Sequence, residues 1–289
     1  MRASYPEVEG QVSHNGLNLG YEVFGAGDPT VLLMPSWTII HSRFWKLQVP
    51  YLARHFRVVT FDGPGNGHSD RSLDPHHYSA SSYAEYALAV LDACGVESAI
   101  AVGLSRGAQY TLHLASMAPD RVLGVVMVGA ALSLGITAPG RESAFERFHQ
   151  SYPENPRGWE KYNLAYWHDH YEDFTRFFFD QCFSEQHSTK PIEDTVGWAL
   201  ETNPAVLEAE SANWTSTKST REMLTRLACP LLLIHGTDDR IISDEVSKEV
   251  ARITGGTLLS MEGSGHLPLA RDPVRFNLAL RDFIARVAA

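Results

Sequence analysis

At 289 residues and 32.1 kDa, with 44% hydrophobic residues, the chain is long enough for one large core, or for one core carrying an inserted subdomain. A net charge of −10 and a pI near 5.7 argue against nucleic acid or an anionic membrane surface as a partner. No uncharged apolar run is long enough to span a bilayer, Met1–Glu7 has no apolar core of a secretion signal, and the three cysteines (Cys94, Cys182, Cys229) lie too far apart for a disulfide frame or a zinc site, so a reduced, cytoplasmic protein is expected.

The elements alternate along the chain. A β-hairpin over Glu7–Phe24 is followed by a strand at Val31–Met34, a helix at Arg43–Phe56 and a strand at Arg57–Asp62. Next come a helix at Tyr78–Cys94, an apolar strand at Ser98–Leu104 and a helix at Arg106–Met117, which Met117-Ala118-Pro119-Asp120 should stop because proline lacks an N–H. After a strand at Val122–Val128 comes a stretch of different texture, from about Leu134 to Thr220. Strands at Pro230–Gly236 and Gly256–Met261 then alternate with helices at Ser243–Thr254 and Pro273–Val287. This pattern predicts an α/β fold, a mostly parallel central sheet flanked by helices, with right-handed crossovers and one helical insertion. Gly65-Asn66-Gly67 lacks the spacing of a dinucleotide loop and reads as a turn.

Gly103-Leu104-Ser105-Arg106-Gly107 stands where a strand meets a helix. A serine at the tip of so tight a turn must adopt a strained backbone, which lifts its Oγ clear of the sheet edge. Glycines two residues to either side relieve the crowding, and the following helix points free N–H groups back at the serine. A serine needs a base, and the base an orienting acid. Asp238 and Asp239 follow the strand Pro230–Gly236, and Gly263-Ser264-Gly265-His266 follows Gly256–Met261, both on the sheet edge that carries Ser105. The chain order is Ser, Asp, His.

With these motifs the chain resembles the α/β-hydrolases, above all the small esterases, cofactor-free haloperoxidase-type enzymes and C–C bond hydrolases that carry a helical cap. Phe61-Asp62-Gly63-Pro64-Gly65-Asn66-Gly67-His68-Ser69-Asp70 belongs to the same resemblance. It implies an α/β-hydrolase core over residues 1–133 and 221–289 and a cap over 134–220. It also implies Ser105 as nucleophile, His266 as general base and then acid, and, from the spacing His235-Gly236-Thr237-Asp238-Asp239, Asp239 as the orienting acid. The oxyanion hole would combine the N–H of Arg106 with that of Ser36, since Pro35 has none to give. His235 is expected to pack behind the Asp239 loop. No metal or organic cofactor is required, and His76-His77 and His168-Asp169-His170 are not expected to bind one.

Between Arg141 and Lys218 lie 15 of the chain's 30 aromatic residues, which favours an aromatic roof over a hydrophobic or aromatic substrate. Trp37 and Trp167 are the candidate substrate-facing residues, Trp37 having packing against the lid as its alternative. The same span holds 14 Asp and Glu against 7 Lys and Arg, which should repel polyanions unless Arg106, Arg141 or Arg147 form a basic patch; the acids are expected to be solvated helix faces. Arg106 either binds a substrate carboxylate or pairs with an acid of the cap, and the high cost of burying an unpaired charge favours pairing. The expected activity is hydrolysis of a carboxylic ester through an acyl-enzyme; C–C bond hydrolysis, acyl transfer and a non-catalytic ligand receptor are the alternatives. The expected partner is a small hydrophobic substrate, without nucleic acid or membrane, and a homodimer is admissible.

Overall fold

The computed structural model describes residues 4–289; the expectation drawn from Met1–Glu7 falls in part on residues 1–3, which lie outside the described residues. The chain forms, in order, β1 (Val8–His14), β2 (Leu17–Phe24), β3 (Thr30–Leu33), α1 (Val49–Leu52), β4 (Arg57–Phe61), α2 (Ala80–Ala93), β5 (Ala99–Leu104), α3 (Arg106–Met117) and β6 (Val122–Val128). Between β6 and β7 come α4 (Glu142–Glu146), α5 (Leu164–Asp169), α6 (Tyr171–Cys182), α7 (Thr189–Ala199), α8 (Pro204–Ser211) and α9 (Thr217–Arg226). The chain closes with β7 (Leu231–Gly236), α10 (Glu245–Thr254), β8 (Thr257–Met261), α11 (Pro268–Arg271) and α12 (Pro273–Val287). α9 packs on α3 and on α10. Among the described residues no helix is long and apolar enough to cross a membrane.

The strands form one sheet in the order β1-β2-β4-β3-β5-β6-β7-β8. Pairings β1–β2 and β2–β4 are antiparallel; every pairing from β4 through β3, β5, β6 and β7 to β8 is parallel. Parallel strands are covered by helices on both faces, which is why β3, β5 and β7 are buried throughout and mostly apolar, with Thr30 and His235 the exceptions. Alternate residues feed two cores. Val31, Leu33, Val102, Val126 and Ile234 join Phe276 and Leu280 of α12, whereas Leu32, Ala101, Met127 and Leu233 join Ala84, Ala87 and Leu91 of α2.

The expected helix at Arg43–Phe56 is not continuous. A 3-10 turn at Ser42–Trp45 is followed by the single turn α1, with Pro50 at its start. Proline cannot donate to a preceding carbonyl and disfavours helical geometry in the residue before it, so the apolar pattern is divided between two short turns. α3, by contrast, ends at Met117, two residues before Pro119.

Because β3, β5, β6, β7 and β8 are parallel, the residues that follow them emerge on one edge of the sheet. The insertion reaches that edge through aromatic packing on Trp37 and through the backbone bond from His266 N–H to the Cys182 carbonyl, 2.9 Å.

Two glycines test whether steric fit fixes this frame. A Cβ on Gly103 would overlap the carbonyl oxygen of Gly107. Gly103→Ala should therefore cost at least about 2 kcal/mol, read as a fall in the denaturant midpoint. Gly197 in α7 has nothing within 4 Å of such a Cβ, so Gly197→Ala should be neutral or stabilising by up to about 1 kcal/mol.

Candidate active site

Ser105 links β5 to α3 with φ 55° and ψ −116°, a conformation that side chains other than glycine rarely adopt. Its N–H donates to the Val128 carbonyl at 2.8 Å, and its own carbonyl accepts from Ala108 N–H and Ala131 N–H at 3.0 and 3.1 Å. The turn is thus pinned to β6 on one side and to its own helix on the other. A Cβ on Gly107 would run into the carbonyl of Pro35, so glycine there lets the loop after β3 lie directly against the first turn of α3.

Asp239 and His266 meet at the same edge. His266 Nδ1 lies 2.7 Å from Asp239 Oδ2, and both side chains are buried. Asp239 Oδ1 accepts the N–H groups of Ile241 and Ile242, at 2.7 and 3.0 Å. Burial by itself would raise the pKa of this carboxyl, but the charge of His266 and hydrogen bonds from His235 and His266 outweigh it and hold the group well below the usual carboxylate range. An ionised Asp239 can only accept, so His266 Nδ1 carries the proton that faces it, and in the neutral imidazole this tautomer leaves the lone pair on Nε2. Asp238 is exposed, and Asp239 is the carboxylate that meets His266.

His235 does more than pack behind this loop. Its Nε2 is 3.1 Å from both Asp239 Oδ2 and the Ile242 carbonyl, and its Nδ1 is 2.6 Å from the hydroxyl of Ser247. Two acceptors at Nε2 require the proton there, which makes His235 a second donor to Asp239. Gly129, at φ 50°, lies between serine and histidine. It follows Val128, which holds Ser105, and a Cβ on it would come within 3.1 Å of the His266 ring.

Ser36 is buried, and its hydroxyl donates to the Leu104 carbonyl at 2.9 Å, placing its backbone beside the start of α3. Among the described residues neither Ser36 N–H nor Arg106 N–H has an acceptor, as expected of a loop residue and of the first turn of a helix. These two limbs share one anchor, Glu210 on α8, which is wholly buried. Glu210 Oε2 accepts the N–H of Thr38 at 2.9 Å; Oε1 accepts the Tyr110 hydroxyl at 2.8 Å and lies 3.2 Å from Arg106 Nε, an ion pair without hydrogen-bond alignment. Tyr110 stacks on Tyr83 with ring centroids 3.9 Å apart. Burial opposes the charge on Arg106, but the Glu210 carboxylate outweighs it and holds the guanidinium above its ordinary pKa. Arg106 is therefore paired with an acid of the insertion and further tied to the Asn213 carbonyl at 2.7 Å. Glu210, counted in the sequence among solvated acids, is instead the most deeply buried of them; the available signal was its position one turn from the apolar Val206 and Leu207.

Trp37 and Trp167 are both buried in one aromatic cluster, 5.7 Å apart and tilted by 48°. Trp37 also meets Phe178 edge-on at 5.0 Å, and Trp167 meets Phe148 and Tyr162 at 4.9 and 5.2 Å. The two indoles are brought together, directly beyond Ser36. His168 pairs with Glu208 at 2.8 Å, and His170 packs on Tyr166 at 4.8 Å.

Two outcomes are expected of these buried charges. Glu210→Gln leaves the Arg106 guanidinium buried without its counter-charge and should cost about 3–5 kcal/mol in chemical denaturation. The folded-state pKa of Asp239 lies below the unfolded value near 4, so its contribution to stability is present above about pH 4 and is lost as pH falls below that. Asp239→Asn should accordingly be less stable than wild type at pH 7, with a shallower loss of thermal midpoint between pH 5 and pH 2.

Comparison with known proteins agrees with this fold. The family model described as the alpha/beta hydrolase fold matches residues 29–273. The 2-hydroxymuconate semialdehyde hydrolase of Pseudomonas sp. (strain CF600) is 28% identical over 98% of this chain and 96% of its own length. The pimeloyl-[acyl-carrier protein] methyl ester esterase of Vibrio campbellii is 26% identical over 93% of this chain and 99% of its own length. The crystal structure of an esterase from Rhodococcus sp. ECU1013 superposes with a TM-score of 0.78 at 25% identity, covering 97% of this chain and 98% of that one. With a parallel sheet of this order, a strained serine between β5 and α3 and a family match over most of its length, the chain belongs to the α/β-hydrolases.

Proposed function

We propose that the protein is a serine hydrolase that cleaves a carboxylic ester of a hydrophobic or aromatic small molecule through an acyl-enzyme. The observation that carries this reading is the buried Asp239–His266 pair on the sheet edge that holds the strained Ser105. His266 Nε2 takes the Ser105 proton as Oγ attacks the ester carbonyl. The carbonyl oxygen becomes an oxyanion between the N–H groups of Ser36 and Arg106, whose segments are held by the Ser36–Leu104 bond and by Glu210 through Thr38 and the Arg106 side chain, and the dipole of α3 favours the charge. The imidazolium, stabilised by Asp239, then protonates the departing alcohol. Water, activated by the same histidine, releases the acid and regenerates Ser105.

Residues 134–220 act in this reading as a lid whose aromatic cluster, with Trp37 and Trp167, receives the apolar body of the substrate. Rings offer large apolar contact with little conformational entropy to lose, which suits an aromatic or long acyl group better than a sugar. The similarity to a semialdehyde hydrolase keeps C–C bond cleavage as the second reading, since the same three side chains would serve it.

Hydrolysis of 4-nitrophenyl esters from acetate to decanoate tests the roles. Turnover should rise toward the longer or aromatic acyl groups. Ser105→Ala should lose at least about 10⁴-fold in kcat with its thermal midpoint retained, and Asp239→Asn about 10³–10⁴-fold, because the wrong tautomer of His266 is then held. Asp238→Asn should stay within a few-fold of wild type; a large loss there, or retained turnover in Ser105→Ala, contradicts the assignment.

A further inference from the structure

Two arginines lie buried near the candidate site, and they are solved differently. Arg106 has Glu210. Arg141, at the start of α4, is 4% exposed and has no carboxylate partner among the described residues. Among the described residues its side chain's only hydrogen bond runs from Nη1 to the carbonyl of Ile241, and its Nε is buried without an acceptor. Three rings face the guanidinium, Trp159 at 4.3 Å, Phe145 at 5.1 Å and Tyr162 at 5.3 Å. Cation–π contact offsets only part of the desolvation of a buried charge and satisfies none of its in-plane N–H groups. Burial accordingly pulls this guanidinium below its ordinary pKa, in spite of attraction from Tyr162, Cys182 and Asp239.

The location matters as much as the lack of a partner. Ile241 is two residues past Asp239, and its N–H is one of the donors that hold that carboxylate. Tyr162 lies 6.4 Å from Trp37 and 5.2 Å from Trp167, ring to ring. Trp167 Nε1 is a second buried donor without an acceptor. Asp239 cannot serve as the missing anion, because its oxygens already accept from two backbone N–H groups and two histidines. Two orphaned donors thus border one aromatic cluster, between the lid and the acid loop.

We propose that Arg141 is a receptor for a negatively charged group on the substrate, a carboxylate carried on the hydrophobic or aromatic body at a distance from the scissile bond. A planar carboxylate matches the fork of the guanidinium and would supply the counter-charge that Glu210 supplies to Arg106. Within a lid with a marked excess of acidic residues, such a site would admit a monoanion while the surrounding charge repels larger polyanions. This subsite deepens the ester-hydrolase reading and rests on it only in taking the aromatic cluster as the place where substrate sits.

Calorimetric binding of 4-acetylbenzoate and of its neutral amide, 4-acetylbenzamide, separates the two ideas, because neither ligand needs to be turned over. Wild type should bind the carboxylate at least about tenfold more tightly than the amide, and Arg141→Met should bring the two within about twofold. Arg141→Lys, which keeps the charge but loses the fork, should retain a reduced preference and supplies the comparison if the methionine variant does not fold. Equal binding of the two ligands by wild type, binding of neither, or a preference that survives in the Arg141 variants overturns the proposal. Hydrolysis of neutral 4-nitrophenyl esters is read alongside. A carboxylate preference without any ester turnover sinks the esterase reading alone, and turnover without the preference sinks the anion subsite alone.

Discussion

The constraint on which the rest of the structure depends is the backbone of Ser105. A non-glycine residue at φ 55°, ψ −116° carries strain on the order of 1–3 kcal/mol and persists only where its surroundings leave no alternative. Here β5 is buried along its whole length, α3 is buried over most of its turns, and the serine joins them with no residue to spare. Its N–H and carbonyl are both taken, by β6 and by the turns that follow. Gly103 and Gly107 remove the two side chains that would push the strand, helix and β3 loop apart. The strain is local, and the restraint comes from the two cores on either side of the sheet.

Once that turn is fixed, parallel topology delivers the remaining groups. Ser36, Gly129, Asp239 and His266 each follow a strand that ends on the same edge, so residues distant in sequence become neighbours without any long excursion of the chain. The insertion then fastens to this edge at several points. Glu210 holds the loop after β3 and the first turn of α3; Arg141 holds the loop after β7; the Cys182 carbonyl holds His266 N–H. Helices attached in this way are coupled to the groups beneath them. Any displacement of α8 would act on Thr38 and Arg106 together, and so on both donors proposed for the oxyanion.

Much of this was legible in the sequence because it depends on local pattern. β6, α3 and α12 occupy the spans their periodicity indicates, and the remaining strands differ from expectation by a residue or two at their ends. Ser105 stood out because glycine spacing, strand and helix all agree there. The failures have physical causes. Pro50 broke a helix that apolar spacing alone had joined. Glu210, Arg141 and His235 were underestimated because charge counts do not distinguish a solvated carboxylate from a buried one, nor a paired guanidinium from an orphaned one. Those distinctions depend on which face of a short helix or loop meets the sheet, and that is settled by tertiary packing. Trp37 and Trp167 stand out in the sequence as candidate rings; that they meet each other, 5.7 Å apart, depends on how α5 packs over the β3 loop.

The most direct measurement is the intact mass of the protein after exposure to a fluorophosphonate, with peptide mapping of the adduct and Ser105→Ala in parallel. If Ser105 is the nucleophile of an assembled site, wild type gains one phosphonyl group, the label maps to Ser105, and the alanine variant gains none. An unlabelled wild type, or a label that persists in Ser105→Ala, would contradict a serine hydrolase built on this turn.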